Sequence, residues 1–323
     1  MCSSDLPATG TDGNDLAGAT PVDSDGTLKA DTWDLTESGP NGYSASEWSC
    51  DGGTQDGASI TVGIGGEATC TIVNDDIAPV LHLRKLVVND NGGTAVAADW
   101  TLTATGTDGN DLAGATPVDS GAKLQADTWV LSEKGPAGYN ASAWVCDGGT
   151  QDGSSITVGI GGEATCTIVN DDIAPILRLR KVVINGSGGT AVPANWTLTA
   201  TGTDGNDVTG QAPVDSDGAL RADTWALSEK GPAGYNASAW VCDGGTQDGS
   251  SITVGIGDEA TCTITNTQYG TIEVRKVLSP TTSAGLFGLS FTGISLSGSV
   301  ADVGNGGTTG AQDRKSTRLN SSH

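Results

Sequence analysis

Short runs of strict alternation between apolar and polar side chains recur along this chain, and each reads as a strand, because successive side chains of a strand point to opposite faces. In the run beginning at Val80, Leu81, Leu83, Lys85 and Val87 share one face, while His82 and Arg84 share the other. A second run places Leu177, Leu179, Lys181 and Val183 together, opposite Arg178 and Arg180. A third places Ile272, Val274, Lys276 and Leu278 opposite Glu273 and Arg275. No helical 3.6-residue period competes with this pattern, and clusters of Gly, Asp and Asn between the runs supply turns. The pattern predicts an all-β chain of short strands.

The same segments return at a fixed interval. WSCDGGTQDGASITVGIGGEATCTIVNDDIAP begins at Trp48, and near-copies begin at Trp144 and Trp240, a period of 96 residues. Such self-similarity marks a repeat architecture. Its phase gives a partial repeat over 7–79 without an opening strand, complete repeats over 80–173 and 174–269, and a truncated, divergent repeat over 270–313. The segments 1–6 and 314–323 do not fit the repeat and resemble translated sequencing-adapter remnants, so they are set aside from fold reasoning. We expect the chain to be a window on a longer array.

Composition narrows the class. A formal net charge of −24 argues against nucleic acid or an anionic membrane as partner and suits a solvated extracellular surface. No apolar stretch approaches the length of a membrane span. Each repeat can hold one sandwich core, but aromatic residues are only 4% of the chain, so that core would be thin and would gain from covalent staples. The cysteines offer one. Apart from Cys2, they fall as Cys50/Cys70, Cys146/Cys166 and Cys242/Cys262, one pair per repeat. An even count within each repeat points to intra-repeat disulfides and an oxidising compartment, each loop contributing roughly 3 kcal/mol on the chain-entropy estimate.

The alternation also aims lysines inward. A lone buried ammonium is costly and needs a partner or must lose its proton. By the same parity, Trp129, Leu131 and Glu133 share a face, as do Cys166, Ile168 and Asn170; the next repeat matches them with Trp225, Leu227 and Glu229, and with Cys262, Ile264 and Asn266. Two sets result, Lys85–Glu133–Asn170 and Lys181–Glu229–Asn266. A desolvated, neutral lysine could attack the Asn carboxamide, with a protonated Glu polarising the carbonyl and shuttling the proton, leaving an isopeptide bond. Alternatively the three form a buried ion pair and hydrogen-bond network. Both outcomes stand open at this level. The first repeat keeps Glu37 and Asn74 without the lysine, and the fourth keeps Lys276 alone.

Lys85, the segment LSEKGPAGY from Leu131 to Tyr139 and TCTIVN from Thr165 to Asn170 together resemble the prealbumin-like Cna B-type and SpaA-type repeats of bacterial surface proteins; Lys181, LSEKGPAGY from Leu227 and TCTITN from Thr261 repeat the match. The resemblance implies tandem Greek-key, Ig-like β-sandwiches of seven strands strung as a stalk, and in many members a Lys–Asn isopeptide with a catalytic Glu. The cysteine pair departs from typical isopeptide members.

Other features carry less. The acidic loops TDGNDLAG and PVDSDG cluster oxygen ligands of the kind calcium takes, but their spacing is not that of an EF-hand, and turn chemistry explains them without a metal. Trp100, Trp129 and Trp144 could form a carbohydrate platform, although Trp129 and Trp144 fall on the inward face. Asn140, Asn195 and Asn236 open glycosylation sequons, a weak motif. With no nucleophile–His–acid set, phosphate loop or metal cluster, we expect no enzyme acting on an outside substrate, only single-turnover self-modification. The expectation is an extracellular or bacterial cell-surface stalk of an adhesin, without cofactor, whose host or surface ligand the sequence does not name. The competing reading is a repeated module binding carbohydrate or a host protein, gaining avidity from many weak sites.

Overall fold

The computed structural model describes residues 5–186, 188–279, 281–282, 284–292, 297–304, 306–308 and 312–313. It divides into two compact units, Met1–Val88 with Ala95–Asp171, and Asn89–Thr94 with Asp172–His323.

In the first unit, the repeat over 80–173 forms a sandwich of two five-stranded sheets. One sheet runs Leu112–Ala115, Thr101–Thr105, Asp127–Lys134, Ser155–Val158, Thr150–Asp152. The other runs Val118–Asp119, Val80–Val88, Glu163–Asp172, Tyr139–Ala141, with Val145–Gly148 also paired to Glu163–Asp172. The resemblance implies seven strands; short arms such as Val118–Asp119 and Thr150–Asp152 raise the number. The opening strand Val80–Val88 and the closing strand Glu163–Asp172 lie side by side and parallel, from Glu163 opposite Val80 to Asp171 opposite Val88.

Inward positions of both sheets meet in one core. Leu81, Leu83, Leu102, Ile156 and Ile168 are buried there around Trp129. The indole of Trp129 is satisfied, donating from Nε1 to the carbonyl of Asn110 at 2.6 Å. The tight turn after Cys146 needs glycine for two reasons. Gly148 has φ +82°, and a Cβ there would meet the Glu163 carbonyl oxygen at 2.2 Å.

The other sandwich of this unit is incomplete. Ala8–Thr9, Asp31–Leu35, Ser59–Val62 and Thr54–Asp56 form one sheet, but the second sheet is reduced to two separate pairs, Tyr43–Ala45 with Asn74–Asp76 and Ser49–Gly52 with Ala68–Thr71. Asp5 and Leu6, set aside by sequence, take part in this sandwich. Asp5 bridges to Ser38 and Ala19, and Leu6 donates its N–H to Gly18 O at 2.9 Å. The reason lies in phase, since Leu6 stands one period before the core residue Leu102. Residues 1–4 and 314–323 lie outside the described residues.

The second unit repeats the complete sandwich from the opening strand Ile176–Ile184 to the closing strand Glu259–Gln268, again parallel neighbours. Its core gathers Leu177, Leu179, Leu198, Trp225, Ile252 and Ile264. Beyond it Thr271–Ile272 pairs with Gln312–Asp313, and Phe287–Thr292 with Ser297–Val303.

Candidate functional site

Parity along three strands aims one lysine, one glutamate and one asparagine into each complete sandwich. Lys85 stands opposite Ile168 across the parallel pair, so Asn170, two residues further along the closing strand, is its diagonal neighbour on the same face. Glu133 comes from the facing sheet, at the position paired with Leu102. The three side chains meet. Lys85 Nζ donates to Glu133 Oε2 at 2.7 Å and to Asn170 Oδ1. In the second unit Lys181 Nζ donates to Glu229 Oε2 at 2.5 Å and to Asn266 Oδ1 at 2.5 Å. Both lysine side chains are fully buried, and the glutamates are 12% and 13% exposed.

A roof closes each cluster. The Trp100 ring lies 4.9 Å from Lys85 Nζ, and the Trp196 ring 5.0 Å from Lys181 Nζ. Tyr139 and Tyr235 brace these indoles edge-on, with centroids 5.1 and 5.2 Å apart. The glycine two residues after each glutamate makes the roof fit: a Cβ on Gly135 or Gly231 would lie 2.2 Å from the indole. Thr116 Oγ1 accepts the Lys85 N–H at 3.1 Å. Sequence reasoning missed this roof, although Trp100 and Trp196 recur at the repeat period and stand before an alternating run.

Burial sets the electrostatics. It pushes the Lys85 and Lys181 amines below the ordinary lysine value; the hydrogen bond and charge of Glu133 or Glu229 act the other way without cancelling the shift. The amine is thus easier to deprotonate than a surface lysine, and it touches a carboxamide and a carboxyl together. Such an arrangement can hold a charge pair or let the amine attack the amide.

The incomplete repeats differ. In the first, Asn74 Nδ2 donates to Glu37 Oε2 at 2.9 Å in an exposed pair with no lysine on it. In the fourth, Lys276 Nζ lies 4.2 Å from the Phe287 ring.

The cysteines meet as Cys50–Cys70, Cys146–Cys166 and Cys242–Cys262 disulfides. Each joins directly opposed residues of an antiparallel pair, tying a hairpin arm to the closing strand.

The acidic loops turn their oxygens toward N–H groups. Asp127 Oδ2 accepts from the Thr107 backbone at 2.6 Å and from Asn110 Nδ2 at 3.1 Å, and Asp111 Oδ1 accepts from Gly106 N at 2.9 Å. Hydrogen bonds from Thr107, its amide foremost, from Asn110 and from the Thr128 amide lower Asp127 to about 2 against the cost of its burial. Asp119, from the other loop, accepts from His82 Nδ1 and from Arg84, each at 2.6 Å, and Glu163 meets His82 Nε2 at 3.2 Å. The tryptophans lie in the core rather than on a platform: Trp100 is 2%, Trp129 0% and Trp144 7% exposed. Of the sequon residues, Asn140 is exposed and Asn236 half-buried, whereas Asn195 holds the Val192 amide at 2.8 Å.

A model of the prealbumin-like fold domain, SpaA-type, matches residues 3–72, 76–168 and 172–264. No curated protein matches the chain. Among solved structures, the chain is similar to the Bacillus anthracis TIE protein at 12% identity and TM-score 0.44, over 97% of this chain and 61% of that one. The major pilin T-13 of Streptococcus pyogenes aligns at 12% identity and TM-score 0.30, over 59% of this chain and 98% of the pilin. A Mobiluncus mulieris adhesin described as containing intramolecular disulfide, isopeptide and ester bond cross-links aligns at 13% identity and TM-score 0.24, over 82% of this chain and 99% of the adhesin.

Proposed function

This chain belongs to the prealbumin-like fold domain family, and on that premise we propose that it is a stalk segment of a bacterial surface adhesin or pilin, each complete repeat locked by a Lys–Asn isopeptide bond beside its disulfide. The family is structural rather than enzymatic. The observation that carries the proposal is the buried contact of a lysine amine, an asparagine carboxamide and a glutamate, made alike in both complete sandwiches.

The step balances within each cluster. The neutral Lys85 Nζ attacks Asn170 Cγ, forming the Nζ–Cγ bond. Glu133, protonated, hydrogen-bonds the amide oxygen as negative charge gathers there, then relays the Nζ proton to Nδ2. The Cγ–Nδ2 bond breaks and ammonia leaves. Lys181, Glu229 and Asn266 act in the same roles. The bond formed spans the strand by which the chain enters the sandwich and the strand by which it leaves. Tension along the polypeptide would shear this parallel pair, and the cross-link would carry that tension past the rest of the sheet. Three disulfides favour an extracellular setting.

The test is tandem mass spectrometry of a reduced proteolytic digest. A branched peptide joining Lys85 to Asn170, and a second joining Lys181 to Asn266, is the expected result; linear peptides alone, with both asparagines intact, would refute the cross-link.

A further inference from the structure

We propose that the loop Gly159–Gly162 of the second repeat is a plug for a socket made by Gly42 and Ile77 of the first, so that these two sandwiches of the first unit are docked rather than hung on a free linker. Three residues, Ile77, Ala78 and Pro79, separate the closing segment Asn74–Asp76 from the opening strand Val80–Val88. Joined domains move relative to one another unless an interface holds them, and a proline stiffens a linker without fixing what lies at its ends. The backbone of Ile77 supplies the hold. Its N–H donates to Gly42 O at 2.8 Å, and its carbonyl accepts from Gly161 N at 2.7 Å. One linker residue is thereby tied to both sandwiches.

Packing agrees with the bonds. Ile160 is half-buried, and a Cβ placed on Gly42 would lie 2.7 Å from its Cγ1 and 2.8 Å from its carbonyl oxygen. In the other direction, a Cβ on Gly161 would meet Gly42 Cα at 2.9 Å. Both glycines have positive φ, +96° and +67°, so each turn asks for glycine by itself; the close approach is a second demand, and it comes from the neighbouring repeat. Ile77 and Ile160 stand outside both hydrophobic cores, so the joint sets orientation without merging them.

The second unit makes the same bonds with its own residues. Gly257 N donates to Ile173 O at 2.7 Å, one period after Gly161 and Ile77. Tyr269 N donates to Gly234 O at 2.9 Å, two periods after Ile77 and Gly42. A tyrosine thus stands where the first linker has isoleucine, and the bond to the socket glycine persists, because it needs the backbone of the linker residue and not its side chain.

On the stalk reading above, on which this consequence alone rests, the joint acts where cross-links cannot. An isopeptide bond locks strands within a sandwich and leaves the linker residues outside it, whereas the plug fixes the angle at which load passes from one sandwich to the next.

The experiment is residue-resolved amide hydrogen exchange on the full, oxidised chain. The Ile77 and Gly161 amides, which bond across the joint, should exchange at least about tenfold more slowly than free peptide amides. Ile160→Asp sets a charge against Gly42 and should bring both to within about twofold of the free rate. Val80, whose N–H donates to Gly162 O at 2.9 Å inside the second repeat, should keep its protection. Exchange at the free rate at Ile77 and Gly161 in the parent, or unchanged protection in Ile160→Asp, overturns the joint. So does loss at Val80 along with them in both Ile160→Asp and the milder Ile160→Ser, since those amides would then report only the second repeat's own loop. The cross-links are judged separately, on the masses of the same chain, so either claim can fail while the other stands.

Discussion

Lys85 and Lys181 are the residues on which the account turns. Each is fully buried, and each has its charge disfavoured by burial more than it is restored by one glutamate. Removing the carboxyl while keeping its shape separates the two roles a glutamate could have here. Glu133→Gln should slow cross-linking in the second repeat by roughly 10²–10⁴-fold, the usual worth of a positioned acid–base group, while Glu229 serves the third repeat unchanged. Following each branched peptide over time after refolding checks this within one molecule. If the two repeats react at equal rates, Glu133 has no part in the proton transfer. A second prediction concerns acid. Asp127, lowered to about 2, clamps its loop through charge-accepting hydrogen bonds. Its folded value lies below the unfolded one, so its contribution is whole above about pH 4 and is lost as the pH falls toward about 2. Thermal unfolding followed across that window should show the fall, and Asp127→Asn should flatten it. At this scale the sequence was legible where parity rules. Lys85, Glu133 and Asn170 are found by counting faces along single strands. The Trp100 roof and the need for Gly135 beneath it were not legible, because both depend on two segments approaching across the core.

The opening and closing strands are the elements that matter most. Alternation in VLHLRKLVV named its inward face, and the structure buries Leu81, Leu83 and Lys85 while leaving Leu86 exposed. What alternation cannot state is the neighbour of a strand. The parallel pairing with Glu163–Asp172, far along the chain, is fixed by the two sheets closing over a shared core, not by any local signal. The disulfide acts on the same closing strand from its other side. Replacing Cys146 and Cys166 together by Ala should lower the stability of that sandwich by about 2–4 kcal/mol. Chemical denaturation of the double variant, read against the parent under non-reducing conditions, measures it; an unchanged midpoint would mean that the hairpin arm is held by its hydrogen bonds alone.

Across the molecule, the 96-residue period divides the described residues into separate cores, each built from side chains of its own repeat. Stability in such an array is close to a sum over its units, so damage to one sandwich should stay within it. The period was plain in the sequence. The place of Asp5 and Leu6 was obscured by their unfamiliar neighbours, since phase alone separates a degraded strand from an unrelated end. The central claim is that the two complete repeats lock themselves, and intact-mass spectrometry of the reduced chain tests it most directly. The account expects a mass short of the sequence by one ammonia for each complete repeat, two in all. Lys85→Ala should remove one deficit and leave the other, and Lys181→Ala should do the converse. A reduced mass equal to that of the sequence would contradict it, leaving Lys85, Glu133 and Asn170 as a buried polar network and the disulfides as the only covalent staples.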